Sequence, residues 1–507
     1  MKQKIFSIEN LQKLLTKEKI RKKRIVLCHG VFDLLHIGHI KHFKEAKDLG
    51  DVLIVSLTPD KYVNKGPSRP AFNEQLRVEA IAALDVVDYV TLNTSFTAVN
   101  VIKKIKPHIY CKGPDYKDHE NDISGQIKNE VDIIKKIGSK IVYTEGKTFS
   151  SSKLINSYYN SHSSFQKQSI KKIKKKYTFN KIRKFVDEFK KIKVLIIGET
   201  IIDQYVFCDA LGKSGKEPVL ALRDIKTEEY LGGAAALSRH ISTFCEKVSL
   251  ISMVGEKAEY LEQIKRKLPK NVSFKYIKKE NSPTILKRRF LDNASQHKVL
   301  GVYKINDDIL TKQQDKLFYN IVKKSIPNYD LVIVSDYGHG LISKKVSNLI
   351  CKRSKYLAVN AQLNAANRGY HSMRNYKNVD CVIVNETEMK QELRDRNGKN
   401  EVLMKRFCHE QNIKNLVVTR GNQGSLLYNK KDKKFNYSEA YASTAIDKIG
   451  AGDAMLSIIA LCLKYGLSKD LSLFIGSLAG AQSVSTIGNK DAINKIQILK
   501  FVENLFK

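Results

Sequence analysis

Two histidines spaced three residues apart, His36 and His39, lie in the run HGVFDLLHIGH at residues 29–39. A strand-like stretch, RIVLCHG, precedes them, and a helix-like stretch, GHIKHFKEAKDLG, begins at Gly38, so the two histidines lie where the strand ends and the helix begins. The free N–H groups and the positive dipole end of a helix N-terminus attract anions. Imidazoles at that point can donate hydrogen bonds to phosphate oxygens. The spacing therefore predicts a phosphate-binding site.

A metal site explains these histidines less well. A zinc site needs a third Cys, His or carboxylate ligand at suitable spacing, and the run has neither that nor an HExxH pattern. Simple packing of the two rings stays open as an alternative. His29 is expected to contact the nucleotide.

A second chemical motif is AIDKIGAGDAML at residues 445–456. Three small residues, Gly450, Ala451 and Gly452, precede Asp453 where a helix pattern begins. Small residues let the backbone approach a phosphate, and N–H groups at a helix end bind anions. An aspartate there can take a proton from an attacking hydroxyl. The alternative is a glycine-rich turn in which the aspartate only caps the helix.

The first motif resembles the HxGH signature of the nucleotidyltransferase superfamily, in its cytidylyltransferase-like branch. The resemblance continues in the family's order through GDVLIVSLTPDKYV, RPAFNEQLRVEAIAALDVVDYV, KPHIYCKGPDY and TFSSSKLI. Together these segments cover nearly all of residues 24–156.

This resemblance implies that His36, His39 and Lys112 are catalytic and stabilise charge at the attacked α-phosphorus. It also implies that Asp33 faces the nucleotide or the acceptor. An acceptor phosphate would attack in line and pyrophosphate would leave, with Mg²⁺ offsetting charge. The implied nucleotide and phosphate contacts are His29, Gly30, Phe32, Arg77, Ser150, Ser151 and Ser152.

Residues 193–490 resemble the ribokinase-like (PfkB) sugar kinases. YLGGAAALSRHI, NETE, VVTRGNQG and the GAGD turn occur in that family's order. The segments SPTILKRRF and SDYGHG are similar to the kinase half of bifunctional ADP-heptose synthesis proteins. Relative to that family, the order of the two domains here is reversed.

The kinase resemblance implies Asp453 as the catalytic base and Gly450, Ala451 and Gly452 as the anion hole for the γ-phosphate. Basic residues in LKRRF would suit a sugar that already carries a phosphate. The implied substrate contacts are Asp203, Gly232, Gly233 and Lys287. The implied nucleotide or phosphate contacts are Asn385, Glu388, Thr419 and Gly421. No side-chain metal cluster is expected, and Mg²⁺ would be held through the nucleotide, with Glu388 as a candidate ligand.

The sequence departs from the kinase pattern at five positions. These are Ala236 for Asn, His339 for Lys, Asn360 for Asp, and Lys448 and Ile449 for two Thr. The phosphate-binding backbone and the base are kept, while sugar and nucleotide contacts change. Phosphoryl transfer is thus better supported than the identity of the sugar.

Strand-like and helix-like segments alternate through both blocks, which is typical of parallel sheets covered by helices. The predicted fold class is α/β, with two Rossmann-like parallel-sheet domains. We expect a nucleotidyltransferase domain at 1–156, a basic linker and docking helix at 157–190, and a kinase domain at 191–507. The N-terminal stretch MKQKIFSIENLQKLLTKEKIRKK is predicted to form an amphipathic helix, with Ile8, Leu11, Leu14 and Leu15 on one face.

The formal net charge of the 507 residues is +37. The lysines are spread along the chain and no nucleic-acid-binding module is visible, so neither a nucleic-acid nor a membrane partner is expected. No apolar run reaches the roughly 20 residues of a membrane-spanning helix. Eight scattered cysteines without a CxxC pair predict neither a disulfide framework nor a zinc site, and they favour the cytoplasm.

The predicted function is a bifunctional sugar kinase and sugar-1-phosphate nucleotidyltransferase, with ADP-heptose as the favoured product. The expected cofactors are Mg²⁺ and ATP, with CTP as the alternative for the first domain, and a homodimer is left open. One alternative is a cytidylyltransferase for glycerol phosphate or another polyol phosphate, fused to a divergent or inactive kinase. An alternative of another class is a basic protein that binds nucleic acid or an anionic surface.

Overall fold

The protein is described from a computed structural model. The structure describes residues 3–16, 22–63, 66, 69–117, 125–145, 163–363, 367, 371–442 and 445–507. The chain folds as two compact units. Unit 1 comprises Met1–Ser163 and Leu499–Lys507, and unit 2 comprises Ser164–Ile498. The residues of the last helix are therefore divided between the two units at Leu499.

Unit 1 is built on a five-stranded parallel sheet in the order β3-β2-β1-β4-β5. Its strands are β1 (Ile25–Gly30), β2 (Val52–Leu57), β3 (Tyr89–Leu92), β4 (Ile109–Lys112) and β5 (Lys140–Tyr143). Its helices are α1 (Ile8–Leu15), α2 (Ile37–Asp48), α3 (Glu74–Ala82), α4 (Val99–Ile105) and α5 (Gln126–Lys136). Strand β1 lies in the strand-like stretch RIVLCHG, as predicted. Because the strand order reverses between β1 and β4, a ligand crevice is expected at their carboxyl ends.

Both faces of this sheet are buried, which explains the continuous apolar runs in β1 and β2. Helix α1 covers one face as predicted, with Ile8, Leu11 and Leu15 buried and the Ser7 hydroxyl capping its first turn. Helix α2 contributes Phe43 to the opposite face.

Unit 2 contains a nine-stranded sheet in the order β10-β9-β6-β13-β14-β15-β16-β17-β18. The pairings are parallel from β10 to β16 and antiparallel from β16 to β18. Its strands are β6 (Val194–Gly198), β9 (Val248–Gly255), β10 (Val272–Lys279), β13 (Leu331–Asp336), β14 (Leu357–Ala361), β15 (Cys381–Asn385), β16 (Asn415–Thr419), β17 (Ser425–Asn429) and β18 (Lys434–Ser438).

A smaller sheet in the order β12-β11-β7-β8 completes unit 2. It consists of β7 (Thr200–Lys213), β8 (Leu220–Gly232), β11 (Leu286–Asp292) and β12 (Lys298–Lys304). Strands β7 and β11 are parallel neighbours, with Lys287 beside Asp203 in the register. This sheet therefore brings the LKRRF segment next to the predicted sugar contact.

Helices cover the large sheet and carry the GAGD turn. They are α6 (Ser164–Lys176), α7 (Phe179–Glu188), α8 (Gly233–Ser242), α9 (Leu261–Lys267), α10 (Lys312–Ser325), α11 (Lys344–Arg353), α12 (Glu386–Glu392), α13 (Asn400–Gln411), α14 (Ala451–Tyr465) and α15 (Lys469–Ser483), followed by α16 (Lys495–Phe506). The apolar run AMLSIIALCL lies in α14 and is buried, as expected. Among the described residues, no helix combines the length and apolarity needed to cross a bilayer.

The basic segment before unit 2 is more ordered than the sequence suggested. A solvated linker was expected around residues 161–176, but the structure has α6 there, with Ile170 and Ile173 buried. Their spacing of three places both side chains on one helix face, and the Tyr177 hydroxyl donates to Ser468 Oγ at 2.9 Å. The predicted docking helix is present as α7, with Ile182 and Val186 buried.

Candidate active sites

The histidine pair lies at the start of α2, directly after the loop that follows β1. His36 is the N-cap residue of this helix, and its Nδ1 accepts a hydrogen bond from the Gly38 N–H at 3.0 Å. The rings of His36 and His39 stack with their centroids 3.9 Å apart. Phe32 supports the His39 ring edge-on at 5.3 Å. The structure therefore brings both imidazoles to a helix N-terminus, as the spacing predicted.

The end of β1 shapes the floor beside this pair. Phe32 has a positive φ of 47°, and a Cβ on Gly30 would lie 2.9 Å from its ring. His29 Nδ1 lies 3.2 Å from Ser56 Oγ. Burial and the nearby charge of Lys112 lower the pKa of His29 to about 4, so this ring is neutral at pH 7.

Lys112 is buried at the end of β4 and its ammonium is paired. Its Nζ lies 3.2 Å from Glu130 Oε2, and the Tyr110 hydroxyl donates to the same oxygen at 2.9 Å. Burial alone would raise the pKa of Glu130, but the charge of Lys112 and these hydrogen bonds outweigh it and lower the pKa. The lysine predicted to be catalytic is thus held in place by a buried carboxylate.

Arg77 does not sit where a phosphate ligand is expected. The residue is 1% exposed, and its guanidinium donates to the carbonyl oxygens of Phe72, Val31 and Thr58 and to Asp60. Because these acceptors use most of its N–H groups, Arg77 clamps the loops after β1 and β2. The expectation that it meets phosphate is corrected accordingly.

Asp33 is likewise engaged inside unit 1. It is 2% exposed, its Oδ2 lies 3.0 Å from Arg69 Nη1, and its Oδ1 accepts the N–H of Ala71 at 2.6 Å. The carboxylate therefore binds the loop around Arg69. This buried position differs from the predicted one, in which Asp33 faces the nucleotide or the acceptor. The three predicted serines, Ser150, Ser151 and Ser152, lie outside the described residues.

Unit 2 contains a cavity of about 1000 Å³ at the carboxyl ends of its parallel strands. Most of the predicted kinase residues line it, and Gly232 lies next to Gly233 at the start of α8. The lining residues predicted from the sequence are Asp203, Gly233, Lys287, Asn385, Glu388, Thr419, Gly421, Gly450, Ala451, Gly452 and Asp453.

The GAGD turn forms the N-terminus of α14 at this cavity. Gly450 is the N-cap residue with a φ of 87°, and a Cβ there would collide with the Asn489 side chain. The turn therefore requires glycine at that position. The free N–H groups of the first helical turn lie at the cavity wall, where they suit a phosphate.

Asp453 lies in the first turn of α14 and is buried. Its Oδ2 accepts a hydrogen bond from the Tyr337 hydroxyl at 2.9 Å. Burial raises the pKa of Asp453 to about 7, although the Tyr337 hydrogen bond and the charge of Lys287 act in the opposite direction. A carboxyl group with a pKa near neutrality suits a general base.

The smaller sheet supplies a charged wall to the same cavity. Asp203 Oδ1 accepts a hydrogen bond from Arg289 Nη1 at 2.5 Å, and Lys287 is 9% exposed beside them. A Cβ on Gly232 would collide with Asp203 Oδ2, so the glycine leaves room for this carboxylate. Gly233 has a positive φ of 59°.

The NETE segment forms a capping box at the start of α12. Asn385 Oδ1 accepts the Glu388 N–H at 2.8 Å, and Glu388 Oε2 accepts the Asn385 N–H at 2.8 Å. Burial raises the pKa of Glu388 to about 7. The motif thus caps the N-terminus of α12 at the cavity wall. Glu388 has this capping role whether or not it also binds a ligand.

The five residues that depart from the kinase pattern lie in the cavity wall or are buried in unit 2. Asn360, Lys448 and Ile449 line the cavity, and Asn360 Nδ2 donates to the Ile383 carbonyl oxygen at 2.7 Å. Ala236 is fully buried in α8. His339 is buried with its Nδ1 2.6 Å from Asp307 Oδ1.

Arg289, Tyr303 and Tyr337 are among the lining residues that the sequence analysis did not name as candidates. Arg289 and Tyr337 lie within the LKRRF and SDYGHG segments, so the signal was present in the sequence. Their roles depend on contacts with Asp203 and Asp453, which are distant along the chain.

Family models match both halves of the chain. Residues 191–496 match the model described as pfkB family carbohydrate kinase, and residues 27–157 match the model described as cytidylyltransferase-like. The chain belongs to the pfkB carbohydrate kinase family. These matches confirm the predicted fold class and the predicted pairing of a nucleotidyltransferase-like with a sugar-kinase-like domain.

Curated relatives carry the name "Bifunctional protein HldE". The one from Aliarcobacter butzleri is 41% identical over 139 residues, which are 27% of this chain and 29% of the relative. One from Campylobacter jejuni serotype O:6 is 24% identical over 302 residues, 59% of this chain and 62% of the relative. The chain thus spans less than two thirds of the length of either relative.

A crystal structure of phosphofructokinase-2 from Escherichia coli resembles the present structure with a TM-score of 0.51. The two chains are 16% identical, and the match covers 62% of this chain and all of the other. At that identity, the likeness supports the ribokinase-like fold alone.

Proposed function

We propose that the chain is a bifunctional transferase that phosphorylates a sugar phosphate at its anomeric hydroxyl and also couples a sugar 1-phosphate to a nucleotide. The observation that carries the proposal is Asp453, a buried carboxyl group with a pKa of about 7 beside free helix N–H groups in the cavity of unit 2. This arrangement suits deprotonation of a hydroxyl next to a bound γ-phosphate.

In the kinase step, Asp453 accepts the proton of the attacking sugar hydroxyl. The N–H groups from Gly450 to Gly452 stabilise charge on the transferred phosphoryl group. The phosphate donor is ATP with Mg²⁺. Asp453 and Glu388 place carboxyl oxygens in the cavity, which suits a hard cation, and the phosphate oxygens of ATP would supply further ligands.

The proposed substrate is a sugar that already carries a phosphate. Lys287 and Arg289 both line the cavity wall, and Asp203 is the carboxylate paired with Arg289. The two cations suit a phosphate, and Asp203 can accept hydrogen bonds from sugar hydroxyls. Following the family resemblance, we propose heptose 7-phosphate, phosphorylated at its anomeric hydroxyl.

In unit 1, His36 and His39 hold the nucleoside triphosphate while the sugar 1-phosphate attacks the α-phosphorus and pyrophosphate leaves. Lys112 adds positive charge at the end of β4. The chemistry needs no protein nucleophile, because the acceptor phosphate is itself the nucleophile. The proposed nucleotide is ATP, which gives an ADP-sugar, and Mg²⁺ would bind through the triphosphate.

The test uses the full chain with Mg²⁺, ATP or CTP, and a panel of free and phosphorylated sugars. We expect a sugar bisphosphate from a phosphorylated sugar and ATP, and pyrophosphate release from ATP when a sugar 1-phosphate is supplied. Pyrophosphate release with CTP and a polyol phosphate, without any sugar phosphorylation, would replace the proposal by the polyol-phosphate cytidylyltransferase. Asn360, Lys448 and Ile449 line the cavity and depart from the kinase pattern. These departures are the reason for testing the second candidate function.

Binding of nucleic acid is tested separately because the net charge of +37 is high. We expect only weak, sequence-independent binding to a DNA duplex that disappears at physiological salt. Tight binding at physiological salt would support the binding protein of the other class.

The proposed assembly is a homodimer formed through the smaller sheet of unit 2. Strand β12 is exposed along its whole length, and Val299, Leu300 and Val302 on it are 44–55% exposed. Apolar side chains on an edge strand are stabilised when a second copy covers them. Light scattering should give a dimer mass that Leu300→Lys reduces to the monomer.

A further inference from the structure

Three potential metal ligands to which no role has been assigned meet inside unit 1. They are Cys28 on β1, Cys111 on β4 and His42 on α2, and one ligand atom from each lies within 4.8 Å of the other two. Their positions in the chain, 28, 42 and 111, match no sequence motif for a metal site. The sequence therefore gave no sign of this group.

Strand register explains why the two thiols meet. Strands β1 and β4 are parallel neighbours, and Cys28 is paired directly with Cys111. Directly paired residues project to the same face of a sheet. Both cysteines belong to the apolar cluster that contains Phe43 of α2, and both are fully buried.

His42 reaches this face from the helix that covers it. It precedes Phe43 in α2, and its Nδ1 lies 3.1 Å from Thr144 Oγ1. Thr144 Oγ1 also lies 3.4 Å from the Lys112 carbonyl oxygen, so the hydroxyl links the ring to the end of β4. Such an outer contact orients the imidazole of a metal-binding histidine.

Two thiols and one imidazole form a donor set of defined preference. Thiolate and imidazole ligands select Zn²⁺ and related soft or borderline ions over Mg²⁺ and Ca²⁺. In a tetrahedral zinc site, neighbouring donor atoms lie roughly 3.5–3.8 Å apart, from the usual zinc–sulfur and zinc–nitrogen distances. Side-chain adjustments on the order of 1 Å would bring the three donors from their present separation to that geometry.

Charge balance favours a divalent ion. Binding of one Zn²⁺ forms two zinc–sulfur bonds and one zinc–nitrogen bond, and it releases the two thiol protons to water. Two thiolates then neutralise the ion, so that the buried group carries no net charge. Lys112 is near, but its ammonium is paired with Glu130.

We propose that Cys28, His42 and Cys111 bind one Zn²⁺ or similar ion, which ties α2 to β1 and β4. Since His36 is the N-cap residue of α2 and His39 lies within it, the ion would fix the helix that positions the histidine pair. The site is separate from the Mg²⁺ of the proposed reaction, because that ion prefers oxygen ligands.

The test uses the full chain, stripped with a chelator under reducing conditions and then titrated with zinc chloride or cobalt chloride. We expect about one metal ion per chain after gel filtration, and a thiolate-to-cobalt charge-transfer band in the cobalt form. Cys28→Val keeps an apolar side chain, and His42→Gln changes a half-buried position. Each variant should lower the zinc affinity at least about 100-fold.

The matched control is Cys245→Val, which alters a buried free cysteine of unit 2. It should bind zinc as the unaltered protein does. Circular dichroism of each variant checks that it folds, and metal uptake is measured without nucleotide or sugar, so failure of the proposed reaction does not affect the result. Equal zinc uptake by the protein and both site variants, or a cobalt form without the thiolate band, would overturn the proposal. A Cys28–Cys111 disulfide found in place of zinc uptake would do the same.

Discussion

The hydroxyl of Tyr337 donates a hydrogen bond to Oδ2 of Asp453 across 2.9 Å. The two residues are 116 positions apart, and both are buried at the wall of the unit 2 cavity. The hydrogen bond favours the ionised carboxylate, while burial favours the protonated form. Their balance places the pKa of Asp453 at about 7, where a base can both hold and release a proton.

Tyr337→Phe should shift the pH dependence of sugar phosphorylation. The base acts only when deprotonated, so activity rises with pH through the pKa of Asp453, which is about 7. Without the hydrogen bond that pKa rises, and the acid limb of kcat/KM moves about one pH unit higher. The pH–rate profile of the variant measures this.

The matched control is Tyr319→Phe, which removes a hydroxyl outside the cavity, on a ring packed against the core. Its profile should match that of the unaltered protein. An unshifted acid limb in Tyr337→Phe would mean that the hydrogen bond does not tune the base.

Asp453→Asn should separate the two proposed activities. The amide keeps the size of the carboxyl group but cannot accept the hydroxyl proton, so sugar phosphorylation should fall about 10²–10⁴-fold. Pyrophosphate release from ATP and a supplied sugar 1-phosphate should stay unchanged, because that step uses unit 1. Phosphorylation at the original rate would refute the assignment of Asp453 as the base.

His36 has two roles that two substitutions can distinguish. His36→Ala removes both the imidazole and the cap on the Gly38 N–H, which should cost about 1 kcal/mol of stability and abolish nucleotidyl transfer. His36→Asn keeps a capping side chain, so it should restore the stability without restoring pyrophosphate release. Thermal unfolding and a pyrophosphate assay measure the two effects.

His39→Ala provides the comparison, because this residue follows the N-cap within α2. Nucleotidyl transfer should be lost while sugar phosphorylation continues. If His36→Asn restored transfer as well as stability, the histidine would be a helix cap only.

The buried pair of Lys112 and Glu130 should show strong coupling. Glu130→Gln leaves Lys112 without its carboxylate, and breaking a buried ion pair costs about 3–5 kcal/mol. Lys112→Met together with Glu130→Gln should be less destabilising than the sum of the single changes. Urea unfolding of the unaltered protein, the two single variants and the double variant gives the coupling free energy. If the losses of stability in the two single variants add up to the loss in the double variant, the two side chains do not interact.

This pair also predicts the effect of acid on unit 1. The folded-state pKa of Glu130 is lowered, so its contribution to stability is complete above the pKa of the unfolded chain. That contribution is lost as the pH falls through the lower folded value. Glu130→Gln should therefore flatten the dependence of stability on pH in that acidic range.

Local sequence patterns determined much of what the protein is. The apolar runs of β1 and β2, the helix that starts at His36 and the glycine turn before Asp453 all lie where the sequence placed them. Each depends on residues close together in the chain, because strand periodicity, helix caps and left-handed glycines are short-range effects.

The tertiary structure alone decided which side chains act together. Arg77 is bound by carbonyl groups from two loops, Tyr337 meets Asp453, and Cys28 faces Cys111 only because β1 and β4 are adjacent and in register. Strand order and register join residues far apart in sequence, and no short motif records them. The sequence thus determined the two folds and the turns that we propose bind phosphate. Long-range packing decided the partners of each side chain, and with them its charge and ligand chemistry.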